Sequence, residues 1–141
     1  MPAGQRALIE ADGGSRGNPG PAGFGAVLKD ADSGDVIAEA AESIGRATNN
    51  VAEYRGLIAG LDAALGLGAE DVEVRMDSKL IVEQMSGRWQ VKHPDRQPLA
   101  RGAAELTSRH QRVRLRGIPP AETQPAGRTG TRAGEADAQR D

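Results

Sequence analysis

The feature that most constrains the fold of this chain is a short apolar run that ends on a carboxylate and continues into a stretch rich in Gly and Pro. Ala7 to Asp12 alternates in the manner of a β-strand, and residues 13–23 contain too much Gly and Pro for a regular helix or strand. A strand that ends at such a loop presents its last side chain at an edge of the sheet, where open α/β folds keep their sites. Asp12 is therefore the first candidate for chemistry.

The remainder of the chain contains further strand-like patterns. The predicted strands after the first are residues 24–29, 36–43, 72–77 and a short strand around Val113 and Leu115. A polar turn over residues 30–35 joins the second and third strands, which predicts a hairpin.

Helical periodicity is clearest in the middle of the chain. Apolar residues recur at helical spacing over residues 51–65, where Asn50 and Glu53 have the form of a capping box. Gly66 and Gly68 are both plausible stops for this helix. Shorter helices are predicted after Ser78 and over residues 98–109.

Size and composition are typical of one soluble domain. The chain has 141 residues, enough for a single core, and no cysteine, which excludes disulfides and thiolate metal sites and agrees with a reducing compartment. No apolar run reaches the length of a membrane span, and the first residues lack the apolar segment of a secretory signal. We expect a monomeric cytoplasmic protein that does not bind membranes.

The charges are distributed unevenly along the chain. The formal net charge is −2, but residues 1–98 carry 10 Lys or Arg against 15 Asp or Glu, whereas residues 99–141 carry 8 against 5. An acidic body argues against binding to a bare phosphate backbone by charge alone. If the partner is a nucleic acid, metal ions must offset part of this negative charge.

Three carboxylates occupy distinctive places in the predicted elements. Asp12 and Asp77 each end a strand, and Glu53 lies in the first turn of the best-defined helix. If the two strands are neighbours and the helix starts at the same edge, the three side chains converge. Oxygen ligands of this kind suit Mg²⁺ or Mn²⁺. Two such ions about 3.5–4 Å apart can position a water and stabilise the leaving oxygen in phosphodiester hydrolysis.

Each of these residues also has an ordinary structural explanation. An Asp before Gly-Gly commonly forms a turn, Glu53 can serve only the capping box, and Asp77 with Ser78 can simply start a helix. Taken one at a time, these explanations are favoured. The Gly-rich stretch alone is equally unspecific, because it lacks the Gly-Lys-Ser/Thr of a phosphate-binding P-loop.

Three motifs stand in a fixed order along the chain. They are Asp-Gly-Gly-Ser-Arg-Gly-Asn-Pro-Gly-Pro-Ala-Gly at residues 12–23, Thr-Asn-Asn-Val-Ala-Glu-Tyr at residues 48–54 and Arg-Met-Asp-Ser-Lys at residues 75–79. Together they resemble the type 1 ribonuclease H family over about residues 6–118. Within it, the chain is most similar to the ribonuclease H domain of actinobacterial bifunctional ribonuclease H/acid phosphatase proteins, and no phosphatase part is present here.

The resemblance implies a fold, an activity and a metal site. The fold is an α/β ribonuclease H-like mixed five-stranded sheet with flanking helices, and the activity is endonucleolytic hydrolysis of the RNA strand of RNA–DNA hybrids by two metal ions. Asp12, Glu53 and Asp77 match the catalytic carboxylates that hold Mg²⁺, or alternatively Mn²⁺. No organic cofactor is implied.

The resemblance also implies a set of substrate-binding residues. Asn18, Asn49 and Asn50 match polar residues that contact the hybrid in the minor groove, where the 2′-hydroxyls distinguish RNA from DNA. Trp89 matches a tryptophan near the substrate face, although a single Trp is equally often a core residue. The remaining residues assigned to substrate binding are Gly13, Gly14, Ser15 and Ser78.

The chain departs from the family's pattern after Ile118. In the family, a polar loop with a His and then an Ala-Asp pair follow the last strand, and the Asp opens a final helix as a fourth carboxylate. In ungapped register Gly127 stands where that Asp belongs, and Asp137 is a weak substitute. Apart from three prolines, residues 119–141 contain no apolar side chain larger than Ala. We therefore expect a ribonuclease H-like domain over residues 1–118, a missing final helix and a disordered tail over residues 119–141.

A shift of reading frame would account for this tail. Codons for residues 123–130 can, when read one base out of phase, spell Asn-Ala-Thr-Gly-Arg-Ala-Asp-Arg, which restores an Ala-Asp pair of the family's type. We therefore predict a frameshift near Glu122, a weakened metal site and reduced activity. Two alternatives to an active nuclease are a non-catalytic fold that binds RNA–DNA hybrids and an inactive truncation product.

Overall fold

The computed structural model describes residues 6–87, 91–94, 96–110 and 112–117, which form a sheet with helices packed on it. In chain order the elements are β1 (Arg6–Ser15), β2 (Gly20–Asp30), β3 (Val36–Ala47), α1 (Asn49–Gly66), β4 (Asp71–Met76), α2 (Lys79–Met85), α3 (Gln97–Arg109) and β5 (Arg112–Gly117). None of the helices in these residues is long and apolar enough to cross a membrane. The proposed tail over residues 119–141 and the boundary at residue 118 lie outside the described residues.

The sheet is mixed, with strand order β3-β2-β1-β4-β5. The first three strands are antiparallel neighbours, while β4 runs parallel to β1 and β5 runs parallel to β4. The Asp30 side chain accepts hydrogen bonds from the Asp32 and Ser33 amides at the turn between β2 and β3, and Gly34 takes the positive φ of 79° there. The predicted five-stranded mixed sheet and its hairpin are confirmed.

The register between β1 and β4 determines what meets at the edge of the sheet. Arg6 lies opposite Asp71, and the parallel pairing continues in step to Glu10 opposite Arg75. The same offset carried two residues further brings Asp12 level with Asp77. Because aligned residues of parallel neighbours project from the same side of a sheet, this register places both carboxylates together.

The core lies between the sheet and the helices α1 and α3. Ile9, Leu57 and Val74 are among its fully buried side chains, and Ala103 brings α3 against it. α1 approaches the sheet closely because it carries glycines on the contacting side. A Cβ atom on Gly60 would lie 2.5 Å from Ile9 Cγ2, so a larger residue there would push the helix away from β1.

β1 extends further than the sequence predicts. Gly13, Gly14 and Ser15 pair with residues 24–22 of β2, so the loop is confined to residues 16–19 and Asp12 lies within the strand instead of ending it. The prediction that the Gly-rich stretch is loop from residue 13 is therefore wrong. The physical reason is that Gly13 packs directly on the backbone of α1, where a Cβ would lie 2.5 Å from the Glu53 nitrogen.

The N-terminus of α1 also differs from the prediction. Thr48 is the cap: its backbone is extended, with φ −85° and ψ 165°, and its hydroxyl accepts a hydrogen bond from the Val51 amide at 3.3 Å. Asn50 is therefore not the cap, and the predicted capping box of Asn50 with Glu53 is wrong. This shift places Asn49 and Asn50 in the first turn of the helix and leaves Glu53 available for another role. Gly66 is the last residue of the helix, Leu67 is its C-cap, and Gly68 follows with a positive φ of 80°, so the helix ends at the two glycines that the sequence offered as stops.

Candidate metal centre

Three carboxylates from three different elements meet at the edge of the sheet. Asp12 comes from β1, Glu53 from the second turn of α1 and Asp77 from the residue after β4. One oxygen of each lies within 4.8 Å of the others. Glu53 is buried, with 3% of its surface exposed, while Asp12 and Asp77 are half-buried. The predicted convergence of these residues is therefore present in the structure.

Backbone contacts hold Asp12 next to Glu53. The Asp12 carboxylate accepts a hydrogen bond from the Gly13 amide at 2.9 Å. Gly13 lies against the backbone of Ala52 and Glu53, and a Cβ on Gly56 would lie only 3.0 Å from the Asp12 carbonyl oxygen. Two glycines, one on the strand and one on the helix, thus let β1 and α1 come close enough for their carboxylates to meet.

Asp77 contributes an oxygen that the protein itself does not satisfy. Its Oδ1 is buried and has no hydrogen-bond partner among the described residues. Burial raises the pKa of this carboxyl above its ordinary value, because desolvation disfavours the charged form, although a backbone hydrogen bond opposes the rise. An orphaned oxygen beside two further carboxylates is a donor set that fits a divalent cation, which would supply the missing partner and the opposite charge.

A second group of polar residues lies beside the carboxylates, where the end of β1 meets the start of α1. The backbone N–H of Ser15 donates a 2.6 Å hydrogen bond to the side-chain oxygen Oδ1 of Asn49. The backbone N–H of Asn49 in turn donates a 2.9 Å hydrogen bond to Oδ1 of Asn18. Asn18 is half-buried with a positive φ of 34°, and Asn50 is 4% exposed. The structure thus gathers most of the predicted substrate-binding residues at one place, whereas Trp89 lies outside the described residues.

Gly14 and Ser78 have structural roles in the described fold. Gly14 is a buried strand residue paired with Gly23 of β2. Ser78 caps α2 by accepting a 3.3 Å hydrogen bond from the Ile81 amide, directly after Asp77. A substrate contact for either residue remains a prediction.

The chain matches known proteins along most of its length. The family described as Reverse transcriptase-like matches residues 10–133. The bifunctional protein Rv2228c of Mycobacterium tuberculosis is 58% identical over 134 residues, which are 95% of this chain and 37% of that protein. The solved N-terminal RNase H domain of Rv2228c, fused to maltose-binding protein, is 60% identical with a TM-score of 0.86, covering 88% of this chain and 95% of that one. The chain belongs to the ribonuclease H family.

Another solved ribonuclease H carries a nucleic acid. LC11-RNase H1, in complex with an RNA/DNA hybrid, is 38% identical with a TM-score of 0.82, and the match covers 87% of this chain and 92% of that one. The present chain spans about 37% of the length of Rv2228c, so it corresponds to one part of that protein.

Sequence reasoning missed two features of this ribonuclease H domain. The first is a buried hydrogen bond of 2.7 Å from the Tyr54 hydroxyl to Gln84 Oε1, which links α1 to α2. Burial raises the pKa of Tyr54 to about 12, although the charge of Arg96 opposes the rise. The position of Tyr54 next to Glu53 was a usable signal, but nothing local identified Gln84 as its partner.

The second missed feature is an open groove of about 620 Å³ beside the start of α1. It is lined by Pro19, Arg46, Ala47, Thr48, Val51, Pro94 and Pro98. Arg46 is the cationic side chain of this lining, and it stands two residues before the Thr48 cap. The only signal for this groove in the sequence was the position of Arg46 just before the motif at residues 48–54.

Proposed function

We propose that this ribonuclease H domain is an endonuclease that hydrolyses the RNA strand of RNA–DNA hybrids with the help of divalent cations. The observation that carries the proposal is the meeting of Asp12, Glu53 and Asp77 within 4.8 Å, with one Asp77 oxygen that has no hydrogen-bond partner in the described part of the chain. The complex of LC11-RNase H1 with an RNA/DNA hybrid supports this substrate. A non-catalytic role is not favoured, because a fold that only binds hybrids has no use for three clustered carboxylates.

The proposed cation is Mg²⁺, with Mn²⁺ as an alternative. Asp12, Glu53 and Asp77 would hold it, because carboxylate oxygens are the ligands that these hard cations prefer. Bound at such a site, these cations polarise phosphoryl oxygens, lower the pKa of bound water and neutralise charge on the leaving oxygen. They would also offset the acidic body of the domain, which otherwise repels a polyanion.

The polar residues that lie beside the carboxylates would orient the hybrid. Asn18 and Asn50 stand at the minor-groove side in the proposed complex, where amide groups can hydrogen-bond to 2′-hydroxyls. Arg46 lines the groove next to the start of α1, where a guanidinium suits a phosphate of the backbone. Selectivity for a hybrid would therefore come from contacts with the ribose, and affinity from phosphate contacts.

The test is cleavage of a labelled RNA–DNA hybrid in the presence and absence of Mg²⁺, with duplex DNA of the same sequence as the control substrate. We expect the RNA strand to be cut, the duplex DNA to be spared and EDTA to stop the reaction. Asp12→Asn should abolish cleavage without loss of the fold, since removing one charge from an acidic cluster reduces its internal repulsion. Equal cutting of both substrates, or full activity of Asp12→Asn, would contradict the proposal.

We also propose that the domain acts as a monomer in the cytoplasm. The absence of cysteine agrees with a reducing compartment. Sedimentation of the purified chain and fractionation of cells that express it would test the two statements separately.

A further inference from the structure

The side chains of β5 alternate between arginine and apolar residues. Val113 and Leu115 pack against the core, so they point toward the helices. Arg112, Arg114 and Arg116 occupy the alternate positions, and all three are exposed. Because successive side chains of a strand point to opposite faces of a sheet, these arginines project from the side opposite α1 and α3. We call the three residues the arginine row.

The side of the sheet that carries the arginine row is locally positive. The facing residues of β4 and β5 on this side are Asp71 with Arg112, Glu73 with Arg114 and Arg75 with Arg116. They comprise four arginines and two carboxylates, a net charge of +2, whereas residues 1–98 carry five more acidic than basic groups. A positive patch on an otherwise acidic body directs a polyanion to one place on the surface.

The guanidinium groups of this patch lie outside its carboxylates. Arg114 contacts Asp71 at 3.3 Å, and Arg116 contacts Glu73 at 3.3 Å. The two arginine side chains are 46% and 56% exposed, whereas the carboxylates are 24% and 18% exposed. Such exposed ion pairs contribute little to stability. A guanidinium has five N–H groups, so one contact with a carboxylate orients it and leaves other donors directed outward.

The arginine row leads toward the metal centre. Arg116 lies level with Arg75, which precedes Asp77 by two residues and therefore shares its side of the sheet. Residues two apart on a strand are about 6.6 Å apart, which is close to the spacing of neighbouring phosphates along a nucleic-acid strand. A strand with one phosphate at the metal centre can therefore continue along β5 with further phosphates facing the row.

We propose that the arginine row binds phosphates of the nucleic-acid strand that extends beyond the metal centre, and so forms a second contact for long substrates. The planar fork of a guanidinium matches two oxygens of a phosphate, which favours this partner for arginine. The proposal rests on the proposed function for the identity of the nucleic acid. In the competing explanation, the charges only prevent β5, an edge strand of the described sheet, from pairing with another chain.

The first measurement is fluorescence anisotropy with labelled RNA–DNA hybrids of increasing length, at several salt concentrations. All variants are made in an Asp12→Asn background so that the hybrid is not cut. In the parent, affinity should rise as the hybrid becomes long enough to reach β5. Arg112→Gln with Arg116→Gln should abolish this gain and make the slope of log affinity against log salt shallower by about 1.4–1.8, as expected for two lost phosphate contacts.

The matched control removes the same charge from the other side of the sheet. Arg101→Gln with Arg109→Gln changes two exposed arginines of α3 and should leave the gain with length and the salt slope as in the parent. Arg112→Lys with Arg116→Lys keeps the charge and should keep the salt slope. If the Gln double variant does not fold, Arg112→Gln alone takes its place, with an expected change in slope of about 0.7–0.9.

The second measurement is steady-state cleavage by chains that keep Asp12. Arg112→Gln with Arg116→Gln should raise KM for a long hybrid and leave kcat at saturation unchanged. Calorimetric titration should show parental Mn²⁺ affinity in the same variant, because neither arginine belongs to the carboxylate cluster. A role in the metal centre itself would instead lower kcat or the affinity for Mn²⁺.

Four results would overturn the proposal: a parental salt slope in the row variant, an equal loss in the α3 control, a loss of the same size with the shortest hybrid, or self-association of the variant without any change in binding. Hybrid binding that depends on the row in a parent that does not cut would refute the proposed activity and leave the row standing. Mg²⁺-dependent cleavage with a salt slope independent of the row would do the reverse, so the two failures are distinguishable.

Discussion

Replacing Tyr54 by Phe removes a single oxygen atom from the buried junction of α1 and α2. Tyr54 is 0% exposed, and its hydroxyl donates to Gln84 Oε1, which belongs to a residue that is only 8% exposed. In Tyr54→Phe the aromatic ring stays and Gln84 Oε1 loses this donor in a place with little access to water. A buried polar atom that loses its partner costs about 1–3 kcal/mol, whereas Phe is easier to bury than Tyr.

We expect the free energy of unfolding of Tyr54→Phe to fall by about 1–2 kcal/mol. In a domain of this size that corresponds to a melting temperature lower by roughly 3–9 °C. The measurement is thermal and urea unfolding followed by circular dichroism. An unchanged m-value would show that unfolding exposes the same amount of surface in the variant as in the parent. Because α1 carries Glu53 and α2 begins two residues after Asp77, the affinity for metal should be measured in the same variants.

The control is a double-mutant cycle with Gln84→Leu. If the hydroxyl and the amide oxygen interact as the structure shows, the two changes together should cost less than the sum of the single changes, by about 0.5–3 kcal/mol. Simple additivity, or a Tyr54→Phe variant as stable as the parent, would refute the reasoning that this hydrogen bond holds α2 against α1.

Three further predictions concern the contact of β1 with α1, the ion pairs of Glu73 on β4, and the tail. Gly13→Ala should unfold the domain or lower its stability by about 2–5 kcal/mol, because the new Cβ would lie 2.5 Å from the backbone nitrogen of Glu53, and urea unfolding checks this. Burial raises the pKa of Glu73, but its hydrogen bond to Arg75 and the nearby arginine charges outweigh burial and hold that pKa below the ordinary value. The stability that it contributes is therefore present above the unfolded-state pKa and lost as pH falls through the folded-state value, so acid unfolding of Glu73→Gln should be less steep than that of the parent. Replacing residues 123–141 with an in-frame segment that carries an Ala-Asp helix should raise both the melting temperature and Mg²⁺-dependent cleavage, and a graft without gain in either would show that the tail is not the defect.

The elements of this domain were largely predictable from local pattern. Alternation of side chains identified the strands, helical spacing identified α1, and the order of the three motifs identified Asp12, Glu53 and Asp77 as candidates. These signals depend on neighbours a few residues apart, which is the range over which backbone propensity and amphipathic periodicity act. The boundary errors arose where a distant element intervened: β1 runs on to Ser15 because the backbone of α1 packs on Gly13.

The site itself was decided by long-range pairing. Nothing local in the sequence states that β4, and not β3, lies beside β1, yet only that neighbour in parallel register brings Asp77 level with Asp12. The burial of Asn49 and the hydrogen bond that it accepts from the Ser15 amide likewise depend on where the end of β1 lands on α1. The sequence by itself determined which residues were available for the metal site. Their separation and exposure came from contacts between elements far apart in the chain. The reason is that packing and strand pairing depend on partners that no local stretch of sequence contains.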